Sequence, residues 1–279
     1  MSERTRLCAI VLVVVLCVLV WGCKGRIEHK GRADISVTNS YLACAVWDLC
    51  GDDTDVFCLA PPGVCPGHFD ISPGQVKRLS KSRVLLLFDF QRQVEQTLSR
   101  IKDRGLKTGI VKEPEGLCVP QTYLTICKQV GDILSGEDPD RKSEFTQRLA
   151  NIGAEMDRLR EDLSSKMKQA GLIGAKVLAS YHQAEFARWL GLDVVATFVG
   201  SDTETVANRR ECLQKAKGQS VRFVIANQQE GTALAESLAQ RLGANAVAFS
   251  NFPELSSKSK GFSDLLEANV GTLTEAAGI

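Results

Sequence analysis

The 279-residue chain lacks the short motifs by which many enzymes and metal-cluster proteins are identified. It has no His-Glu-x-x-His pair of a helical zinc protease and no Gly-x-Ser-x-Gly turn of a serine hydrolase. No two cysteines have the Cys-x-x-Cys spacing of a zinc knuckle. Neither charge dominates, with 34 basic and 33 acidic residues, and no basic stretch with interleaved aromatics suggests nucleic acid. These absences favour a binding protein that is neither an enzyme nor a nucleic-acid partner.

The N-terminal segment has the pattern of an export signal. Two arginines precede the apolar run Leu7–Val20, whose 14 residues are fewer than the roughly 20 that a membrane-spanning helix needs. Gly22 and Cys23 follow, as at the cleavage site of a bacterial lipoprotein. We expect residues 1–22 to be a signal peptide, Cys23 to carry the lipid, and residues 23–32 to form a tether. The protein would then lie outside the cytoplasm, held to a membrane in the periplasm or at the cell surface. An uncleaved anchor is the alternative.

Cysteine is common beyond the predicted lipidation site. The further positions are Cys44, Cys50, Cys58, Cys65, Cys118, Cys127 and Cys212. Six of these seven lie in the first half of the chain, an even number that fits disulfides in an oxidising compartment. A thiolate cluster is the alternative, and the pairing stays open.

Strand and helix patterns alternate on both sides of a central segment, as in parallel βαβ units. The predicted strands lie near 35–38, 56–59, 84–88, 108–111, 176–179, 194–198, 221–226 and 246–249. The predicted helices lie near 41–50, 72–80, 91–102, 121–134, 183–190, 205–215, 232–242 and 262–276. The sequence therefore predicts an α/β fold with two lobes, residues 33–140 and 171–279, each built on a parallel sheet.

The central segment, residues 141–170, predicts one long helix. Between 143 and 169 it has no proline, and its apolar residues recur at intervals of three and four. They are Leu149, Ile152, Met156, Leu159, Leu163 and Met167. At about 1.5 Å per residue the helix would be roughly 40 Å long, enough to connect the two lobes rigidly beside a ligand cleft.

Two histidines, His68 and His182, follow segments that read as strand ends, where α/β folds place their ligand groups. A third, His29, lies in the tether. Imidazole is the commonest metal ligand in proteins, so this pair suggests a metal site.

Several segments, taken in order, carry a family resemblance. They include Thr38-Asn39-Ser40-Tyr41 after the first strand, Pro61-Pro62-Gly63 continuing to Pro66-Gly67-His68, and Asp264-Leu265-Leu266-Glu267-Ala268-Asn269 near the end. Over nearly all of Ala33–Ile279 the chain resembles the metal-binding lipoproteins of bacterial zinc and manganese ABC importers. The resemblance implies a monomeric receptor that captures a divalent metal, Zn²⁺, Mn²⁺ or iron, between two lobes and delivers it to an ABC permease with its ATPase.

The resemblance also implies four ligands, one per loop. The first and third family positions fall on His68 and His182. The second, usually a histidine after Asp-Pro, falls on Glu115 within Glu-Pro-Glu. The fourth, usually an aspartate after the last strand, falls on Glu254, with Asn251 the weaker candidate. Two imidazoles and two carboxylates suit Zn²⁺, Mn²⁺ or Fe²⁺, and Glu115 in place of a histidine shifts the site toward harder metals.

Three residues near the implied ligands have supporting roles. Asp70 would hydrogen-bond a ligand histidine or cap the next helix. Cys65 and Cys118 would join two ligand loops by a disulfide or add soft donors.

Two other functions stay open. The first is an adhesin or degenerate receptor that has lost metal binding, which the missing second histidine favours. The second is a metal-dependent hydrolase with Glu115 as general base, which no catalytic motif supports.

Overall fold

A computed structural model of the chain describes residues 35–60, 71–91, 98, 105–200, 205–255 and 261–279. The strands are β1 (Ile35–Val37), β2 (Val56–Cys58), β3 (Val84–Phe88), β4 (Lys107–Val111), β5 (Lys176–Ser180), β6 (Asp193–Phe198), β7 (Phe223–Asn227) and β8 (Asn245–Phe249). They form two four-stranded sheets, ordered β2-β1-β3-β4 and β6-β5-β7-β8. Within each sheet, every pair of neighbouring strands is parallel. The predicted two-lobed α/β fold is confirmed, with each predicted strand present to within two residues at its ends.

The described residues also form eight α-helices. They are α1 (Ser40–Cys50), α2 (Pro73–Leu79), α3 (Pro120–Glu137), α4 (Lys142–Gln169), α5 (Tyr181–Trp189), α6 (Val206–Ala216), α7 (Ala233–Leu242) and α8 (Phe262–Ala276). No helix in these ranges is both long enough and apolar enough to span a bilayer. The predicted signal peptide, tether and most of the helix predicted over 91–102 lie outside the described residues.

Local sequence explains why these elements form. All five side chains of β3, Val-Leu-Leu-Leu-Phe, are buried, as expected for a parallel strand covered on both faces. Helix α1 begins where Asn39 Oδ1 accepts a hydrogen bond of 3.0 Å from the backbone N–H of Leu42. Helix α2 begins at a reciprocal capping box between Ser72 and Gln75. The Asn39 cap, two residues after the carboxyl end of β1, starts α1.

Helix α4 connects the two lobes, as its apolar stripe predicts. It is 28 residues long and packs on α1 and α3 of the first lobe and on α8 of the second. Its buried side chains are Phe145, Ile152, Met156, Leu159, Leu163 and Met167, and Leu149 packs beside them. A single helix therefore contributes to the core of both lobes.

Three aromatic rings join the lobes next to this helix. Phe262, the first residue of α8, stacks on Tyr123 of α3 with ring centroids 4.0 Å apart and planes 2° from parallel. Tyr41 of α1 meets Phe262 edge-on at 5.6 Å. All three side chains are almost fully buried in one cluster that also contains core residues of both sheets. The lobes thus share a core and are not joined by a thin hinge.

The carboxyl of Asp48 on α1 accepts a hydrogen bond from the hydroxyl of Tyr123. Burial raises the pKa of Asp48 to about 6, while the Tyr123 hydrogen bond acts in the opposite direction. Because the pKa is higher in the folded than in the unfolded chain, this group stabilises the fold most below about pH 4. Its contribution is lost as the pH rises to about 6. We therefore expect Asp48→Asn to raise the free energy of unfolding at pH 7, by about 2 kcal/mol, and to raise it much less at pH 4.

Urea denaturation of the wild type and the variant at both pH values measures this difference. A Tyr123→Phe variant loses the hydrogen bond that lowers the pKa of Asp48. The pH at which Asp48 ionises, and with it the fall in stability, should therefore be higher in this variant than in the wild type. An Asp48→Asn variant that is no more stable than the wild type at pH 7 would contradict the assignment.

Candidate metal centre

The candidate site lies where the carboxyl ends of both sheets face a common cavity of about 280 Å³. The loop after β4 lines it from the first lobe, and the first turns of α5 line it from the second. Its lining residues are Glu113, Pro114, Glu115, Gly116, Leu117, Tyr181, His182, Ala184, Glu185, Arg188, Thr197 and Asn251. This cavity corresponds to the cleft that the sequence predicts between the lobes, and parallel α/β sheets place ligands at this edge.

The loop after β4 is fixed to the first lobe by buried hydrogen bonds. The hydroxyl of Tyr41 donates to the carbonyl oxygen of Leu117 at 2.7 Å. The hydroxyl of Thr122, in the first turn of α3, donates to the carbonyl oxygen of Glu115 at 3.1 Å. Because both carbonyls accept hydrogen bonds from the first lobe, the backbone at Glu115 is held in place. The exposed Glu115 side chain lines the cavity.

Gly116 allows the same loop to approach the second lobe. Its φ is +75°, and a Cβ there would lie 2.9 Å from the Cβ of Glu185 on α5. We expect Gly116→Ala to lower the free energy of unfolding by about 1–3 kcal/mol, because alanine is strained at this φ and must push the two walls apart. Metal affinity should fall as well, since Glu115 is the neighbouring residue. Urea denaturation and metal titration measure the two effects.

Gly271 provides the matched control. It lies within α8, and a Cβ there would have no neighbour within 4 Å. Gly271→Ala should therefore be neutral or stabilising by up to about 1 kcal/mol, because alanine is the better helix former. A Gly116→Ala variant as stable as the Gly271→Ala variant would show that the close approach does not matter.

Two acidic residues, Glu113 and Asp89, lie together at the carboxyl end of the first sheet. Glu113 lines the cavity, and its backbone N–H donates to Oδ1 of Asp89, in the turn after β3, at 3.2 Å. The surrounding protein, and then the negative charge of Asp89, raise the pKa of Glu113 to about 7. The Glu113 side chain still has a large exposed surface. A cation in the cavity would favour the ionised form.

His182 reaches the cavity from the second lobe. Helix α5 begins at Tyr181 and not at the predicted Gln183, so His182 lies in the first helical turn directly after β5. Its side chain is 52% exposed, and its Nε2 lies 3.4 Å from Oε1 of Glu230. Glu230 belongs to the short 3₁₀ turn after β7, the strand next to β5. Two neighbouring strands therefore bring an imidazole and a carboxylate together.

Asn251, in the loop after β8, lines the cavity, but its side-chain oxygen already accepts two hydrogen bonds from the protein. Oδ1 of Asn251 accepts hydrogen bonds from Nε2 of Gln183 at 2.9 Å and from the thiol of Cys118 at 3.4 Å. Its backbone N–H donates to Oε1 of Gln229 at 3.1 Å. Asn251 is thus held in a buried polar network between the lobes, and its oxygen is directed into that network.

Cys118 is a thiol and not part of a disulfide. It donates to the carbonyl oxygen of Ser250 at 3.2 Å, in the opposite lobe. Burial raises the pKa of this thiol well above its usual range, so it stays protonated and is a poor soft donor for a metal. The sequence predicts that Cys118 forms a disulfide with Cys65 or adds a soft donor. The structure describes Cys118 as a buried thiol, and Cys65 lies outside the described residues. Cys50, Cys58 and Cys127 are thiols as well, contrary to the predicted disulfides.

Glu254, the residue predicted as the fourth ligand, does not line this cavity. It lines a separate pocket with Phe252, Asp264 and other residues beside α8. The backbone N–H of Ser250 donates to Oδ1 of Asn269 at 2.9 Å, which fixes the chain as it leaves β8. The structure therefore brings Asn251, and not Glu254, to the cavity that holds His182 and Glu115.

Four residues named from the sequence, His68, Asp70, Cys65 and Cys23, lie outside the described residues. Among the residues that are described, no three His, Cys, Asp or Glu side chains are grouped closely enough to hold a metal ion. The described part of the site therefore consists of His182 and the carboxylates near it.

Sequence reasoning did not single out the acidic residues Glu230 and Asp89. It included Glu113 only as the first residue of the Glu-Pro-Glu motif. Each of the three follows the carboxyl end of a parallel strand, as His182 does. The strand-end rule that singled out the histidines would have found them if it had been applied to acidic residues as well.

The fold and the cavity define a class of protein: two-lobed solute-binding proteins whose lobes are joined by a single long helix. A family model, described as the zinc-uptake complex component A, periplasmic (ZnuA), matches residues 35–276. The chain belongs to this family.

Solved structures agree with that fold. A ZnuA crystal structure has a TM-score of 0.70 and 20% identity, covering 88% of this chain and 100% of that one. A Mn-bound periplasmic metal-binding protein from Candidatus Liberibacter asiaticus has a TM-score of 0.72 and 10% identity, covering 87% and 98%. The laminin-binding protein Lmb of Streptococcus agalactiae, described as having adhesin and metal-transporting activity, has a TM-score of 0.70 and 15% identity, covering 87% and 98%. No curated protein matches the chain at a significant level.

Proposed function

We propose that the chain is an extracytoplasmic receptor that binds a divalent transition metal, zinc, manganese or iron, and delivers it to an ABC permease and its ATPase. The observation that carries the proposal is the half-exposed imidazole of His182 in a cavity between the lobes, with the carboxylates of Glu113 and Glu115 in the same lining. Membership of a family of periplasmic zinc-uptake components supports it. Binding without catalysis is proposed too, because this is a family of transport components.

The chemistry of the donors supports a metal as the cargo. Imidazole and carboxylate are ligands of Zn²⁺, Mn²⁺ and Fe²⁺, and a larger share of carboxylate favours the harder ions. His182 is the imidazole of the second lobe, and His68 is proposed as the imidazole of the first. Two carboxylates would offset the charge of a divalent ion that leaves water for the cleft. Glu115 is proposed as one of them.

The anchor belongs to the same proposal. A receptor whose Cys23 carries a lipid stays close to the membrane in which its permease lies. Residues 23–32 would act as the tether between that lipid and the folded lobes. Retention of labelled palmitate by the wild type and its loss in a Cys23→Ala variant would support lipidation.

Metal analysis of the full chain, purified without added metal, tests the proposed binding. We expect a near-stoichiometric divalent transition metal, or, after removal by a chelator, binding of Zn²⁺ or Mn²⁺ at micromolar concentration or below. Loss of zinc- or manganese-limited growth when the gene is deleted, restored by the wild-type chain, tests delivery. A chain that binds neither ion at micromolar concentration would contradict the proposal.

The alternative, an adhesin or degenerate receptor that no longer binds metal, is favoured by one observation. Asn251 occupies the position after β8, and its oxygen is held in the polar network between the lobes. The likeness to the Streptococcus laminin-binding protein supports the shared fold only. The titration above separates the two functions, because a degenerate receptor would keep its thermal unfolding temperature unchanged when either metal is added.

A further inference from the structure

The distance between His182 and Glu230 suits two ligands of one metal ion. Nε2 of His182 and Oε1 of Glu230 are 3.4 Å apart. Zinc binds nitrogen and oxygen at about 2.0–2.2 Å, so two ligands at a tetrahedral angle are about 3.3–3.5 Å apart. A direct N–H···O hydrogen bond would have about 2.7–3.2 Å between the same atoms. The separation of the two atoms therefore matches that of two ligands of one ion.

The other oxygen of Glu230 is fixed by the protein. The hydroxyl of Ser180, the last residue of β5, donates to Oε2 of Glu230 at 2.7 Å. This bond orients the carboxylate and leaves Oε1 on the side of the imidazole. Hydrogen bonds of this kind commonly hold metal-binding carboxylates in place.

Gly200, after β6, leaves room for the same carboxylate. A Cβ at Gly200 would lie 3.0–3.1 Å from atoms of the Glu230 side chain. The ends of β5, β6 and β7 thus converge on Glu230 and limit its movement. The side chain is only 21% exposed, so its charge is partly removed from water.

Neither residue predicted as the fourth ligand, Glu254 or Asn251, is in a position to provide a carboxylate to the metal. Glu254 lines a different pocket beside α8. Asn251 is uncharged, and its Oδ1 already accepts two hydrogen bonds. Glu185 of α5 also lines the cavity, but its carboxylate is paired with Arg188. Glu230 is the second-lobe carboxylate that lies 3.4 Å from the imidazole of His182.

We propose that Glu230 is a ligand of the transported divalent cation and binds it beside His182. The inference rests on the proposed metal-binding function and assigns the second lobe's carboxylate ligand to the turn after β7. Ser180 is then a positioning residue, since it acts on the ion through Glu230.

Metal titration of full-length Glu230→Gln and Glu254→Gln variants tests the assignment, with Zn²⁺ and Mn²⁺ each competed against a chromophoric chelator. Glutamine keeps the size of the side chain and removes its charge. We expect Glu230→Gln to weaken binding by at least roughly 100-fold, because loss of an outer partner alone costs about 10–100-fold. Glu254→Gln should stay within about threefold of the wild type. Glu236→Gln, an exposed carboxylate on α7, is the matched control for loss of one charge.

A second measurement separates a ligand from a positioning residue. The visible spectrum of the Co²⁺-loaded protein reports the donor atoms, so it should change in Glu230→Gln and stay as in the wild type in Ser180→Ala. Ser180→Ala should also weaken binding about tenfold in the wild type and not at all in the Glu230→Gln background. An unchanged Co²⁺ spectrum in Glu230→Gln, or wild-type affinity, would overturn the assignment.

The His182→Ala variant distinguishes failure of this inference from failure of the proposed function. If His182→Ala loses metal while Glu230→Gln keeps it, the receptor function stands and the Glu230 ligand is wrong. If Glu254→Gln is the variant that loses metal, the Glu230 ligand is also wrong. If the wild type itself binds neither ion, the proposed function fails together with the inference.

Discussion

Replacing His182 with alanine is expected to lower the affinity for zinc or manganese by at least roughly 100-fold while leaving the fold intact. The imidazole lines the cavity between the lobes, and its side chain is 52% exposed. Loss of a direct ligand should cost more than the 10–100-fold that is typical of an outer partner. Exposed substitutions change the free energy of unfolding by about 0.5 kcal/mol or less, so stability should hardly change. Chelator competition measures the affinity, and urea denaturation of the metal-free protein measures the stability.

Tyr181→Phe is the control for this variant. Tyr181 is the preceding residue, it lines the same cavity, and it is also exposed. Phenylalanine keeps its ring and removes only the hydroxyl, so metal affinity should stay close to that of the wild type. A His182→Ala protein with wild-type metal content and affinity would exclude His182 from the site.

Replacing Phe262 with alanine is expected to give the largest loss of stability, about 3–5 kcal/mol. Phe262 is 1% exposed and stacks on Tyr123 of the other lobe at 4.0 Å. Alanine there would remove a contact that both lobes share and leave a cavity that neither lobe can fill alone. For a domain of this size the unfolding temperature should fall by roughly 10 °C. Urea denaturation and differential scanning calorimetry measure the two quantities.

Two further variants make the Phe262 result specific. Phe262→Leu keeps most of the volume and should cost less than half as much as the alanine variant. Val206→Ala removes apolar atoms from a residue that is 77% exposed and should be nearly neutral. If Phe262→Ala unfolded in two separate transitions, the lobes would be independent folding units, contrary to the shared core.

The fold could be predicted because its signals are strong and local. The continuous apolar run of β3 has one explanation, a strand buried on both faces, and the structure buries all of it. The stripe of α4 is similar because it depends on spacing alone. Five of its six predicted residues are buried, and the sixth, Leu149, packs beside them. What the sequence did not predict is that Phe262 stacks on Tyr123, since contacts between distant residues leave no periodic pattern.

The site was less predictable because a pattern places a residue near a strand end but does not say which way it faces. Glu254 and Asn251 both follow β8, and hydrogen bonds from Gln183 and Cys118 decide which of them meets the cavity. Glu230 has no motif around it, and its position beside His182 depends on the pairing of β5 with β7. Disulfides were expected because the predicted export signal implies an oxidising compartment, whereas Cys118 and Cys127 are buried thiols in the core.

The core shared by the lobes would also have a kinetic consequence for the proposed transport. A receptor that does not change its overall shape when it binds an ion presents nearly the same outline to a permease whether loaded or empty. Under the proposed function, empty receptors would then compete with loaded ones for docking sites. When metal is limiting, receptors added beyond the available metal would lower the transport rate. The loops at the cleft would be the part of the surface by which the permease tells the two apart.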